Sequence, residues 1–165
     1  MDIEIIKKDI ILLKQTDFNT LDDLNNSKLL EKYFDIPNGQ MTCFDHIFAG
    51  RQDNGDVVGY HSEFLFPNRY TQNDLDINLH LDKTKPYNLI LPCGKTTSCF
   101  PNDLNINELI SIILSSYRQS WIEQPPKNLK TTCWNPITYS PELDANIQLK
   151  TGVRQKIYDA YPLVH

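Results

Sequence analysis

The segment FDHIFAGRQDNGDVVGYHSE, residues 44–63, carries two of the chain's four histidines, His46 and His61, on either side of a glycine-rich polar turn. Imidazole is the side chain whose ordinary pKa lies near neutrality, so a pair can serve as base and acid within one turnover. RNA transesterification has that requirement. A base takes the proton of a ribose 2′-hydroxyl, the oxygen attacks the adjacent phosphorus in line, and an acid protonates the departing 5′ oxygen. The phosphorane gathers extra negative charge, which a fixed cation stabilises. Lys95, in PCGKTTSCFP, is the candidate for that cation: a glycine precedes it, and three hydroxyls, Thr96, Thr97 and Ser98, follow it.

Each of these residues has a plainer reading. A histidine in a strand is more often a satisfied or surface group than a catalyst. Gly94-Lys95 is not a P-loop, because the earlier glycine of the GxxxxGK[ST] frame is missing. Cys43, His46 and His61 could be read as zinc ligands, but a fourth ligand at standard spacing is lacking, so no metal site is expected. His80, between leucines in NLHLDK, reads as structural, and His165 as a terminal residue without a role.

The elements that must position these groups are legible in part. The opening MDIEIIKKDIILLKQ is interrupted by acids and lysines and has no small-residue cleavage site, so it reads as a short strand or helix of the mature fold. Ser27 can cap a short helix over SKLLEKYF that ends before Pro37. Asp53-Asn54-Gly55 is a strong hairpin signal, with residues 43–48 and 56–63 as extended or short helical arms. PYNLILPC, residues 86–93, suits a buried strand. The strongest helix follows Asn105, with Glu108 completing a capping box and Ile106, Leu109, Ile110, Ile113 and Tyr117 on one face; it should pack on a sheet. Beyond Pro125-Pro126 the chain turns β-like, through KTTCWNPITYS, then NIQLK and VRQKIYDAY joined at Thr151-Gly152.

A helix-rich first half and strand-rich second half imply an α+β domain. The 165 residues suffice for one domain that buries roughly two-thirds of its unfolded surface. Composition is ordinarily globular, and no apolar run approaches the roughly 20 residues of a membrane span. The net charge of −5 argues against a protein that coats polyanions, though it permits a local basic site. Four cysteines without CxxC spacing read as buried free thiols rather than a disulfide framework.

The combination FDHIFAG, GYH, GKTTS ahead of a helix, and a late AYP resembles the EndoU family of uridylate-preferring endoribonucleases. The likeness runs from Phe44 to about Leu163 and is nearest to the bacterial nuclease-domain branch grouped with barnase-, colicin- and RelE-like toxins, particularly around SCFPNDLNINELI. It implies a barnase-like EndoU fold, antiparallel sheets with packed helices flanking a groove. On that basis residues 41–165 form the nuclease domain, and residues 1–40 a helical segment packed on it.

Carried over by position, the resemblance makes His46 and His61 the acid/base pair, with the order open, and Lys95 the transition-state cation. Gly59 corresponds to a glycine whose backbone approaches the phosphate, Ser98 or Thr97 to a hydroxyl that reads the uracil edge, and Tyr161 to an aromatic against ribose or base. Tyr161 and Ser98 could equally be core and turn residues. Arg51 departs from the family, where an acid often follows the glycine of the first motif.

The implied activity is cleavage of single-stranded RNA at uridylates, leaving 2′,3′-cyclic phosphate and 5′-hydroxyl ends. The implied setting is a bacterial toxin effector with a cognate immunity protein, acting in the cytoplasm of a cell it is made in or delivered into. A free-standing RNA-processing enzyme, a binding module without turnover and a plain interaction protein are the alternatives. No cofactor is expected to be required; manganese stimulates eukaryotic relatives and often not bacterial ones. No membrane contact is expected, and oligomeric state has no signal in the sequence.

Overall fold

A computed structural model describes residues 1–36, 41–70 and 75–164. The chain runs α1 (Ile3–Lys14), α2 (Leu21–Asn25), α3 (Lys28–Glu31), α4 (Cys43–Phe48), β1 (Arg51–Asp53), β2 (Asp56–Val58), α5 (Leu75–Asn78), β3 (Tyr87–Ile90), β4 (Thr96–Cys99), α6 (Ile106–Glu123), β5 (Ile137–Ser140), β6 (Ala145–Thr151) and β7 (Ile157–Pro162). The architecture is α+β, with small antiparallel sheets ordered β1-β2, β3-β4 and β5-β6-β7. Among the described residues, no helix is long and apolar enough to cross a membrane.

The opening residues form a helix because Asp2 caps it, accepting from the Glu4 and Ile5 amides, and Ile6, Ile10 and Leu13 then recur on one face. That face packs against α6. Buried Asp9 would be costly alone; it accepts from Tyr33 Oη and, at 3.1 Å, from Lys32 Nζ, which ties α1 to the end of α3. Residues of α1 and α6 share one buried cluster with Phe34, Phe44, Ile47 and Ile157.

The capping box at α6 is present. The Glu108 amide donates to Asn105 Oδ1 at 2.8 Å, and the Asn105 amide to Glu108 Oε1 at 3.2 Å. The helix buries a wide arc, Ile112, Leu114 and Ser116 as well as the expected face, because α1 covers one side while β5 and β6 cover another. Asn105→Ala removes the acceptor for an orphan amide and is expected to cost about 1 kcal/mol. Thermal melting should register this as a loss of roughly 2–4 °C.

Other expectations shift. The helix at Ser27 is only Lys28–Glu31, and Phe34 instead bridges in parallel to Ile157. Pro37 lies outside the described residues, as does His165. The turn Asn54-Gly55 closes the β1–β2 hairpin with positive φ at both residues, 51° and 86°. Its ladder is short: residues 43–48 are helix, and the second arm leaves the ladder after Val58. Regular pairing in the last sheet begins at Ile137 rather than in KTTCW. Val153–Gln155 form a 3₁₀ turn, with Arg154 and Gln155 at positive φ, so β7 starts only at Ile157. All four cysteines are free thiols, but only Cys43 and Cys99 are buried; Cys93 and Cys133 are exposed.

A second, smaller core of Tyr60, Tyr87, Leu89, Leu91 and Cys99 lies beneath β3 and β4. The segment after β2 therefore joins two cores. Tyr60 belongs to the smaller, while the His61 amide donates to Ile47 O of the larger at 2.7 Å.

Candidate active site

His46 sits on the last turn of α4. That short helix is held by a capping box between Thr42 and Asp45, and Asn25 of α2 bonds both capping side chains. With Cys43, Phe44, Ile47 and Phe48 turned into the core, the helix leaves His46 partly exposed.

The terminal carbonyls of a helix lack intrahelical donors. Here the strand-leaving segment supplies them: Tyr60 N donates to His46 O at 2.7 Å, and the His61 and Ser62 amides to Ile47 O at 2.7 and 3.1 Å. These bonds draw His61 beside His46, so that the ring centroids lie 5.7 Å apart.

Gly59 makes the approach sterically feasible. Its φ is +79°, and a Cβ there would strike the His46 carbonyl oxygen and lie 3.0 Å from ring atoms Cγ and Nδ1. Tyr60 also has positive φ, 65°, a strained state for an aromatic residue, held by Tyr60 Oη donating to Phe66 O and accepting from Arg69 N. The glycine's place in this structure is thus against His46.

His61 is oriented by β4. Its Nδ1 lies 2.7 Å from Ser98 O; a carbonyl only accepts, so Nδ1 carries the hydrogen and Nε2 faces the other way. Thr97 Oγ1 donates to Gly59 O at 3.0 Å and stands 3.2 Å from the same Nδ1. Of the two hydroxyl candidates, Thr97 is buried and committed to the scaffold, while Ser98 contributes its backbone carbonyl to the site.

Facing both rings is Asp159 of β7, which sequence reading missed. His46 Nε2 lies 3.1 Å from Asp159 Oδ2, and His61 Nε2 lies 3.5 Å from Oδ1, so one carboxylate bridges two imidazoles. Burial alone would raise the Asp159 pKa. The His46 hydrogen bond and the charges of both rings outweigh it and hold the carboxyl below the usual range. Burial pushes the His61 pKa below the ordinary imidazole value, with Asp159 and the Ser98 carbonyl opposing the fall. Buried Cys43, one turn before His46, has its thiol pKa pushed well up, first by burial and then by the Asp159 and Asp35 charges.

Tyr161 follows Asp159 on the same face of β7, its ring 5.0 Å from that of His61 and inclined by 32°. Lys150, paired with Asp159 in the β6–β7 register, places its amine 5.9 Å from the centre of the Tyr161 ring. Its positive charge is among those that depress the His61 pKa.

Lys95 is engaged by a carboxylate of the β1–β2 hairpin. Its amine makes a 2.6 Å ion pair with Asp56 of β2, is largely exposed, and has its pKa raised by that hydrogen bond. It stands just before β4, two residues ahead of Thr97. No bond from Lys95 to either histidine or to Asp159 is made. His80 is an exposed turn residue and not a structural one.

The detectable signal for Asp159 was parity. In IYDAYP, Asp159 alternates with Ala160 and falls on the strand face of Tyr161, the aromatic that the resemblance already singles out, so an acid two residues before that tyrosine is a candidate for the same site. A concavity of about 210 Å³, lined by Asp35, Thr42, Cys43, Arg51 and Tyr158, opens beside His46. A larger one of about 640 Å³ lies between α1, α6 and β5, away from the histidines.

The arrangement can move protons: it has two imidazoles, a carboxylate that bridges them, and an aromatic wall. Comparison with protein-family models, with curated proteins and with solved structures gives no match to this chain.

Proposed function

We propose that the protein is an endoribonuclease of the EndoU type, cleaving single-stranded RNA at uridylates through 2′-hydroxyl attack. The observation that carries this reading is the convergence of His46 and His61 on Asp159, with Tyr161 against the second ring. Residues far apart in the chain are brought to one place that can handle two protons.

The tautomer suggests the division of labour. His61, with Nδ1 bonded to Ser98 and its basicity reduced by burial, presents an unprotonated Nε2 near neutral pH and acts as base. It takes the 2′-hydroxyl proton as the oxygen bonds to phosphorus. His46, whose Nε2 proton Asp159 accepts, is the acid; that proton passes to the 5′ oxygen as the phosphorus–oxygen bond breaks. Lys95, released from Asp56, or Lys150 beside Tyr161 supplies positive charge to the phosphorane. Tyr161 offers a face for a base or ribose, the way unpaired nucleotides are held.

The test is a fluorescent oligonucleotide of deoxyribonucleotides with one internal uridine, incubated with EDTA present. Cleavage 3′ of the uridine, with a cyclic phosphate end, is expected. The same strand with deoxyuridine should remain whole, since it lacks the attacking oxygen. Cutting of the deoxyuridine strand would replace this mechanism with hydrolysis by water.

A further inference from the structure

We propose that His46 Nε2, His61 Nε2 and an Asp159 carboxylate oxygen form a binding site for a divalent transition metal of the zinc type, and that the bound metal holds the site in an off state. Binding is independent of the nuclease reading; the off state rests on it.

The three ligand atoms lie within 4.8 Å of one another. In a tetrahedral zinc site with nitrogen and oxygen ligands at about 2.0–2.1 Å, ligand atoms are separated by about 3.3 Å. The Asp159 contacts are near that length but use different oxygens, Oδ2 at 3.1 Å from His46 Nε2 and Oδ1 at 3.5 Å from His61 Nε2. Rotation of the Asp159 carboxyl brings one oxygen between the rings, and His46, partly exposed at the end of α4, can turn to close the edge between the two Nε2 atoms.

The supporting contacts point the same way. A metal-bound histidine usually donates its other ring nitrogen to a carbonyl or carboxylate, which fixes the tautomer and aims the lone pair. Ser98 O does this for His61 at 2.7 Å, leaving Nε2 aimed at Asp159 Oδ1. In the tautomer with the hydrogen on Nδ1, the Nε2 lone pair points at Asp159 Oδ1 across 3.5 Å, where a cation can be shared between them. Lys150, paired with Asp159 across the ladder, keeps its amine over Tyr161, so Asp159 Oδ2 meets His46, and Oδ1 meets His61 and the Ala160 amide, which donates to it at 2.9 Å.

The donor set suits a borderline metal: two imidazoles and one carboxylate, with a fourth position left for water or ligand. Cys43 stays outside the set; its buried thiol is held protonated. A metal on both Nε2 atoms occupies the lone pair through which the base would act and displaces the proton that the acid would give.

Cobalt(II) is the probe. Protein stripped with EDTA and exchanged into metal-free buffer is titrated with cobalt(II), following the visible ligand-field bands of a low-coordinate ion, and zinc is then added to displace it. One equivalent is expected to bind without thiolate charge-transfer absorption. Asp159→Asn and His61→Gln should each weaken binding by on the order of 100-fold, and the double change Cys93→Ser, Cys133→Ser should leave it unchanged. Circular dichroism confirms that each variant is folded; if the buried changes disturb folding, His46→Gln at the helix end gives the same comparison.

Absence of low-coordinate bands, or binding undiminished in folded Asp159→Asn, His61→Gln or His46→Gln, overturns the proposal. Zinc should suppress oligonucleotide cleavage in step with cobalt displacement, and EDTA should restore it. If no RNA is cut under any condition, the nuclease reading fails while the cobalt spectra still decide the metal site; if cleavage persists with the metal bound, the off state is wrong.

Discussion

His46→Ala and His61→Ala are each expected to lower the proposed uridine-dependent cleavage by about 10²–10⁴-fold in kcat/KM, the range in which a positioned acid or base contributes. Stability separates this from simple damage. His46 is partly exposed, so its loss leaves the apolar core untouched but takes a hydrogen bond from buried Asp159, whereas His61→Ala strips Ser98 O of its donor and should cost about 1–3 kcal/mol. Both variants should remain folded by circular dichroism at 25 °C. A His46→Ala protein that melts normally and cuts at the native rate would remove the acid from the mechanism.

The pH dependence supplies a sharper readout. Because burial depresses the His61 pKa, the acid limb of kcat/KM should fall below the ordinary imidazole value of about 6.5. Asp159 opposes that depression, so Asp159→Asn should shift the limb to still lower pH, which a purely structural role would not do. Stability follows the same signs. His61 binds its proton more weakly folded than unfolded, so stability is lost as pH falls below about 6.5 towards its folded pKa. The lowered Asp159 pKa means that its contribution, present above about 4, is lost at lower pH still.

What the sequence revealed and what it hid have physical causes. Capping at Asn105 and the turn at Asn54-Gly55 are local, set by residues within a few positions, and both occur where the spacing placed them. The six-residue α4 was ambiguous because a run such as CFDHIF shows neither helical nor strand periodicity over so short a length. The bridging acid is a different problem. Its partners lie about a hundred positions away, and only the register of β7, together with the helix-end hydrogen bonds that bring His61 to Ile47, juxtaposes them. Likewise Lys95 reads as a cation for the histidines, but a residue-by-residue reading could not foresee that Asp56, across the loop, would engage it first. Long-range pairing of charges is written in tertiary geometry, whereas caps and turns are written in the chain itself.

Gly59→Ala is the largest expected effect on stability. Three glycines test it, since Gly55, Gly59 and Gly94 all have positive φ, between +79° and +87°. At Gly55 and Gly94 a Cβ would meet nothing within 4 Å, so alanine there bears only the backbone cost, about 1 kcal/mol. At Gly59 the same methyl runs into the His46 carbonyl, a backbone atom already bonded to Tyr60 N, and cannot be relieved by rotating a side chain. Overpacking of this kind adds about 1–3 kcal/mol, for a total of about 2–4 kcal/mol and a drop in melting temperature of roughly 5–15 °C. The displaced group is the helix end that carries an imidazole, so cleavage by the folded fraction should fall as well, while Gly94→Ala, next to Lys95, should retain the metal site and the histidine geometry. Equal melting temperatures for Gly59→Ala and Gly94→Ala would mean that α4 and the His61 segment do not meet as tightly as described, and that the two imidazoles are not held at one place by the backbone.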